Sequence, residues 1–228
     1  MRLYGKSLAA VGIVGLALTG CSSGGGEQSF DGKSAGTIAD EATAAMKSAK
    51  SFRLVTDGEQ RGQRTKVEMD VAASGTCRTK MDLPMVGVVE SVTVDGASYS
   101  KGGPDFMKMA LGGEAAAKAA QGRWVKSPDK AADTTCRIES LFTPDGLKGA
   151  TRGADSTVDG RRTATLTKSE QNNKVTVHVA AEGKPYVLRI ETDGPAKNTA
   201  TFSSFDEPIV VKAPPASEVV QGKKMGSS

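Results

Sequence analysis

The chain has 228 residues, of which 30 are basic, 26 acidic and one histidine, for a formal charge of +4. Aromatic residues make up 4% of it, so any core rests on Val, Leu, Ile, Met and Ala. No basic block interleaved with aromatics marks a nucleic-acid surface, and the sequence pI near 8.9 overstates the basicity of the folded part.

The first residues set the compartment. "MRLYGK" carries Arg2 and Lys6, and "SLAAVGIVGLAL" follows without a charge. A positive start, a short apolar run and small residues before a cut form the pattern of an export signal. The run falls short of the roughly 20 residues that a spanning helix needs. Leu18-Thr19-Gly20-Cys21 resembles the lipobox of bacterial lipoproteins. That resemblance implies a diacylglyceryl group on the Cys21 sulfur and cleavage just before it. Two acyl chains anchor a protein stably where one does so only marginally. The expected layout is a signal peptide over 1–20, a flexible Ser/Gly tether over 21–33, one domain over 34–220 and a disordered tail over 221–228. Loss of Arg2 and Lys6 takes 30 basic residues to 28 against 26 acidic ones, so the mature chain is near neutral.

Cys21, Cys77 and Cys136 are the three cysteines. With Cys21 acylated, only one pairing remains, and an exported protein sits where disulfides persist. A Cys77–Cys136 bridge is expected, with two free buried thiols as the alternative.

Along the mature chain, "SAGTIADEATAAMKSAK" places Ile38, Ala42, Ala45, Met46 and Ala49 on one helical face. The period then switches to two. Val67, Met69 and Val71 alternate with charges, as do Cys77, Thr79, Met81 and Leu83. Val92 and Val94 lead into an Asp95-Gly96 hairpin turn. "GPDFMKMALGGEAAAKAAQG" predicts one or two short helices over 103–122, "RWVKSP" a brief strand, and the stretch around Cys136 and Leu147 two helical turns. The last third is a meander. Asp159-Gly160 marks a second hairpin leading to Ala164 and Leu166. Val175, Val177 and Val179 share a face, as do Tyr186, Leu188 and Ile190, and then Ala200 and Phe202. "DEPIVVKAPPASEVV" predicts a terminal strand and an extended tail.

This order predicts an α+β fold: a curled antiparallel sheet of about nine to eleven strands, a half-barrel with helices packed on its concave face. The run "EGKPYVLRIETDGPAKNTATFSSFDEPIVVKAPPASEVV", together with "TVDGRRTATLTK", the lipobox and the helix leading into "SFRL", resembles the LppX/LprAFG-like actinobacterial lipoproteins. The resemblance implies the LolA/LolB-like half-barrel around a hydrophobic cavity able to hold a lipid or acyl chain. It carries no catalytic motif over.

The alternation assigns Val67, Met69, Val71, Met81, Leu83, Val92, Val94, Leu166, Val177, Leu188 and Ile190 to the cavity wall. Phe106, Met107 and Leu111 join them from the central segment, where Met81, Met85, Met107, Met109 and flanking glycine pairs suggest core filler or a movable lid. His178 falls opposite the valines and is expected to face solvent. No G-x-S-x-G elbow, HExxH, CxxC or calcium loop occurs. The expectation is a monomeric, non-enzymatic carrier or sensor of a hydrophobic ligand, with no cofactor, metal or nucleic acid, held by Cys21 on the outer face of the cytoplasmic membrane. The alternative is a surface-anchored interaction or accessory module of an envelope complex.

Overall fold

The structure, a computed structural model, describes residues 30–120, 122–128, 136–142, 144–170 and 172–222. The signal peptide, Cys21 and most of the tether therefore lie outside the described residues. Helix α1, Ala35–Ser48, starts where the Ser34 hydroxyl accepts from the Thr37 N–H at 3.1 Å, an N-cap. Ile38, Ala39, Ala42, Ala45 and Met46 are its buried face. The fold begins earlier than expected. Phe30 is buried in the same core as α1, and Lys33 pairs with Glu41 at 2.8 Å, so the end of the stretch read as tether is packed structure.

A first antiparallel wing follows: β1 Ser51–Gln60, β2 Gln63–Ala72, β3 Cys77–Leu83, β4 Gly87–Val94 and β5 Ala97–Gly102. Arg61-Gly62 and Asp95-Gly96 both take positive φ, the backbone that two-residue hairpin turns require. Helices α2, Pro104–Leu111, and α3, Glu114–Ala119, precede the short β6, Trp124–Lys126. The chain then crosses over through α4, Ile138–Leu141, and a 3-10 turn at Pro144–Leu147. The second wing holds β7 Thr151–Arg152, β8 Ser156–Val158, β9 Arg161–Glu170, β10 Asn173–Ala180, β11 Val187–Asp193 and β12 Ala196–Ser203.

With β13, Val219–Gln221, the described strands form one sheet in the order β13-β6-β5-β4-β3-β2-β1-β12-β11-β10-β9-β7, with β8 also on β9. The sheet curls without closing, as expected of a half-barrel. Thirteen strands among the described residues exceed the nine to eleven expected because β6, β7, β8 and β13 have three residues or fewer. One pairing is parallel: β13, Val219–Gln221, runs alongside β6, where a wholly antiparallel sheet was expected. The terminal strand expected within residues 206–220 falls at their very end, where Val219 and Val220 enter β13, and residues 206–215 form none. Gln221 belongs to β13 rather than to a tail.

β1 and β12 join the wings, and their registers fix the faces. Leu54 opposes Met69 and Phe202, and Thr56 opposes Val67 and Ala200. Carried across the ladder, Val71, Met69, Val67, Cys77, Thr79 and Met81 share the concave face with Leu54. Ile190, Val177, Val175, Leu166 and Ala164 do so in the second wing. The Cys77–Cys136 disulfide forms, with Cα atoms 5.6 Å apart. It ties the crossover to β3.

The chain leaving β12 is pinned by charge. Asp206 accepts from the Lys50 N–H at 2.8 Å, from the Lys184 ammonium at 2.7 Å and from the Tyr186 hydroxyl at 2.8 Å. The Lys184 hydrogen bond, then those of Lys50 and Tyr186, hold its carboxyl down at about 2. A carboxyl depressed in the folded state contributes stability that is present above its unfolded value near 4 and is lost as pH falls through the folded value. Asp206→Asn keeps a side chain that tolerates the residue's positive φ of 61°. The variant is expected to unfold more easily at neutral pH and to show a flatter stability profile between about pH 4 and pH 2, read by chemical denaturation across that range.

Candidate functional site: an apolar cavity beneath the crossover

Between α1, the second wing and the crossover lies a cavity of about 280 Å³. Leu54, Val175, Val177, Val187, Ile190 and Phe202 form its sheet side, Thr43 comes from α1, and Leu141, Phe142, Gly146 and Leu147 come from the crossover. Lys168 completes the lining. Burial grades across it: Val177, Val187 and Phe202 are buried, whereas Gly146 is exposed and Lys168 half-buried. The buried end is closed by aromatic rings, Phe202 lying 5.6 Å from Phe52 and 5.5 Å from Phe142 in tilted or edge contacts, the geometry aromatic pairs favour. The Lys168 ammonium donates to the Gly146 carbonyl at 2.7 Å.

Of the residues expected at the cavity wall, Val177 and Ile190 line this space. Leu166, on the same face, is fully buried in the surrounding core. Val67, Met69, Val71, Met81 and Leu83 lie on the concave face of the first wing, with Met69 and Val71 inside the main core. Phe106, Met107 and Leu111 belong to a second cluster with Ala117, Ala120 and Val125. Phe106 is held there by close approach to Gly102, where a Cβ would meet its ring at 2.8 Å. The methionines do not gather: Met107 is buried, while Met85 and Met109 are 82% and 59% exposed.

Val92 and Val94 stand on the convex face instead. Val92 opposes Arg78, whose neighbours Cys77 and Thr79 face inward, so Val89, Ser91 and Thr93 are the inward residues of β4. The richer valine set of that strand points out. Val92 there lines a separate cleft of about 460 Å³ with Arg53, Glu68, Asp70, Arg78, Lys80, Glu90 and Trp124. Ion pairs from Arg53 to Glu68 at 2.8 Å and to Asp70 at 3.2 Å cross its floor. Leu188 leaves the cavity for a different reason. The register between β10 and β11 shifts at His178/Val179, Val187 takes the inward place, and Leu188 lines a neighbouring opening with Tyr186 and Phe205. An extra residue in one strand moves its successors across the sheet.

His178 is on the convex face, as its alternation implied, but it is buried rather than solvent-facing. Its Nδ1 lies 2.9 Å from the Ser156 hydroxyl, which also meets Thr163 at 2.9 Å and Thr165 at 3.1 Å. This network fastens β8 over β9 and pairs Nδ1, which would be costly to bury alone, while Nε2 lies 3.6 Å from the Glu191 carboxylate without a hydrogen bond.

The lining residues not assigned from sequence are Thr43, Leu54, Leu141, Phe142, Gly146, Leu147, Lys168, Val175, Val187 and Phe202. Val175 and Phe202 had the right alternation. Lys168 follows Ala164 and Leu166 on the same strand face, and its period was the available signal. The crossover residues carried none. No group of metal-ligating side chains occurs among the described residues, and none of the described helices is long and apolar enough to cross a membrane.

An open, curled antiparallel sheet with a helix and a crossover on its hollow side is a LolA-like half-barrel. Neither a family model nor a curated protein matches the sequence. The lipoprotein LppX of Mycobacterium tuberculosis matches in structure with a TM-score of 0.52 at 14% identity, over 78% of this chain and 98% of its own. LprF of Mycobacterium bovis matches with a TM-score of 0.54 at 13% identity, over 83% of this chain and 99% of its own. The resemblance to the LppX/LprAFG-like group holds as a likeness of fold.

Proposed function

We propose that this chain is an extracytoplasmic lipoprotein, anchored through Cys21, that binds a lipid or other hydrophobic ligand as a carrier or sensor and does not convert it. The observation that carries this reading is the cavity under the crossover, walled by aliphatic and aromatic side chains and graded from a buried end to an open rim. Apolar surface withdrawn from water there gains about 25 cal/mol per Å². Among the described residues the lining offers one hydroxyl and one ammonium, Thr43 and Lys168, which suits holding a ligand better than acid–base work on it. The fold shared with the lipoprotein LppX supports the anchored setting.

The test uses the full chain carrying Cys21→Ser, so that no acyl group of its own interferes. Organic extraction should recover bound lipid, and the protein should take up a fluorescent fatty acid. Ile190→Trp, which fills the cavity from its half-buried wall, is expected to cut uptake at least about tenfold with modest loss of stability. An empty extract and no uptake would favour the alternative, an interaction module of an envelope complex.

A further inference from the structure

The cleft on the convex face lies across the sheet from the apolar cavity and has a chemistry of its own. Its lining sets three cations, Arg53, Arg78 and Lys80, against three anions, Glu68, Asp70 and Glu90. The charges cancel, so a ligand of either sign would lose to one half of the wall what it gained from the other. Four of the six are locked in place. Arg53 bridges Glu68 and Asp70, and Arg78 meets Asp70 at 2.5 Å. Each guanidinium has five donors, and these pairs engage two on Arg53 and one on Arg78. Lys80 and Glu90 are neighbours across the ladder and enter no ion pair among the described residues. Beside this neutral array of donors and acceptors stand the Trp124 indole and the buried aliphatic group of Val92. The Lys101 ammonium lies 5.9 Å from the indole centroid, within the cation–π range that steadies a ring.

Two further features set the ligand's shape. Arg53, Asp70 and Arg78 also line a continuation of about 230 Å³ that reaches residues 207–210. The groove therefore crosses the strands from β6 to β1, five steps of about 4.8 Å or about 24 Å in all. The strands beneath it are each paired on both sides, so it presents side chains rather than a strand edge. An extended peptide gains most from an open edge. A sugar chain suits side chains alone. Its hydroxyls both donate and accept, its C–H faces pack on an aromatic ring, and it brings no charge to a balanced wall. Hydrogen bonds with one ionised partner are about twice as strong as neutral ones.

We infer that the convex cleft binds a neutral oligosaccharide, with Trp124 as the stacking plate and the balanced charges as partners of its hydroxyls. The site is separate from the apolar cavity, and the inference stands whether or not a lipid binds there.

Trp124 is the single tryptophan of the chain, so its emission reports this cleft alone. The full chain carrying Cys21→Ser is titrated with cellohexaose, maltohexaose and laminarihexaose. Glucose, an anionic hexagalacturonate, a cationic chitosan hexamer and a Gly/Ser hexapeptide serve as contrasts. At least one neutral hexasaccharide should shift the emission with a dissociation constant of about 1 mM or tighter. It should bind at least about tenfold more tightly than glucose and at least about threefold more tightly than the charged chains or the peptide. Lys80→Ala combined with Glu90→Ala keeps the wall neutral and breaks no ion pair. This double variant should weaken the sugar about fivefold and leave fatty-acid uptake unchanged. Trp124→Ala, read by calorimetry, should weaken it at least about tenfold, and Trp124→Phe should recover part of that loss. A melting profile matched to the parent establishes that each variant is folded. Silence with all three neutral hexasaccharides would overturn the inference. So would preference for a charged chain or the peptide, or a sugar affinity that the double variant does not move.

Discussion

Replacing Cys77 and Cys136 together by alanine is expected to lower the thermal midpoint by about 8–16 °C. The bridge spans 59 residues of sequence, and closing a loop of that length removes about 4 kcal/mol of freedom from the unfolded chain. Each kcal/mol shifts the midpoint of a domain this size by about 2–4 °C. Both sulfurs are buried, so alanine avoids stranding a hydroxyl in the core. The functional consequence should exceed the thermodynamic one. Cys136 lies two residues before α4, and α4 with the following turn brings Leu141, Phe142 and Leu147 over the cavity. With the bridge gone, that segment loses its tie to β3, and fatty-acid uptake should fall even at temperatures where the sheet remains folded. Unchanged uptake by the double variant would show that the crossover is held by its packing alone.

Phe52→Ala is expected to cost about 3–5 kcal/mol, the range for removing a buried aromatic ring. Phe52 is completely buried on β1, the strand that pairs with both β2 and β12. Its ring lies 6.0 Å from Phe142, 5.6 Å from Phe202 and 6.2 Å from Phe205. One substitution therefore loosens the crossover, the junction of the wings and the segment after β12. Phe52→Leu should recover most of the loss, and chemical denaturation measures both. The two predictions are coupled. Phe142 rides on the segment that the disulfide tethers, so the triple variant should depart from additivity by about 0.5 kcal/mol or more, as groups in one contact network do. Strict additivity would mean that the ring contacts survive without the bridge.

Much of this architecture is legible in the residues. Hairpins turn where Asp95-Gly96 and Asp159-Gly160 supply two consecutive positive φ values. The strands flanking them alternate cleanly because one face is buried and the other wet. β1 is harder to see. "SFRLVTDGEQ" carries Asp57-Gly58 in its interior, which reads as a turn, yet Gly58 lies in the ladder where a Cβ would come within 3.2 Å of the Asn198 side chain. The facing of β4 fails for another reason. Valine at 88, 92 and 94 outnumbers the single inward Val89, and of the outward three the convex cleft with Trp124 takes Val92 while Val88 stands exposed. Local composition cannot reveal that, because the deciding partner is the register with β3. Half of the cavity is invisible for the same cause. Its crossover wall comes from a segment without periodicity, placed by a distant disulfide. Leu188 and Val187 exchange roles through a bulge that only pairing with β10 creates.

The junction of β1 with β12 also dictates when the molecule can be completed. β1 is the first strand made, and its partner on one side, Ala196–Ser203, is among the last. A chain delivered from its amino end thus carries a bare strand edge until nearly all of it is present. Pairings between such remote segments form slowly, and an exposed edge recruits other chains. Assembly before the carboxy-terminal strands are in place is the vulnerable moment for this protein, and anything that shields β1 while they arrive would raise its yield.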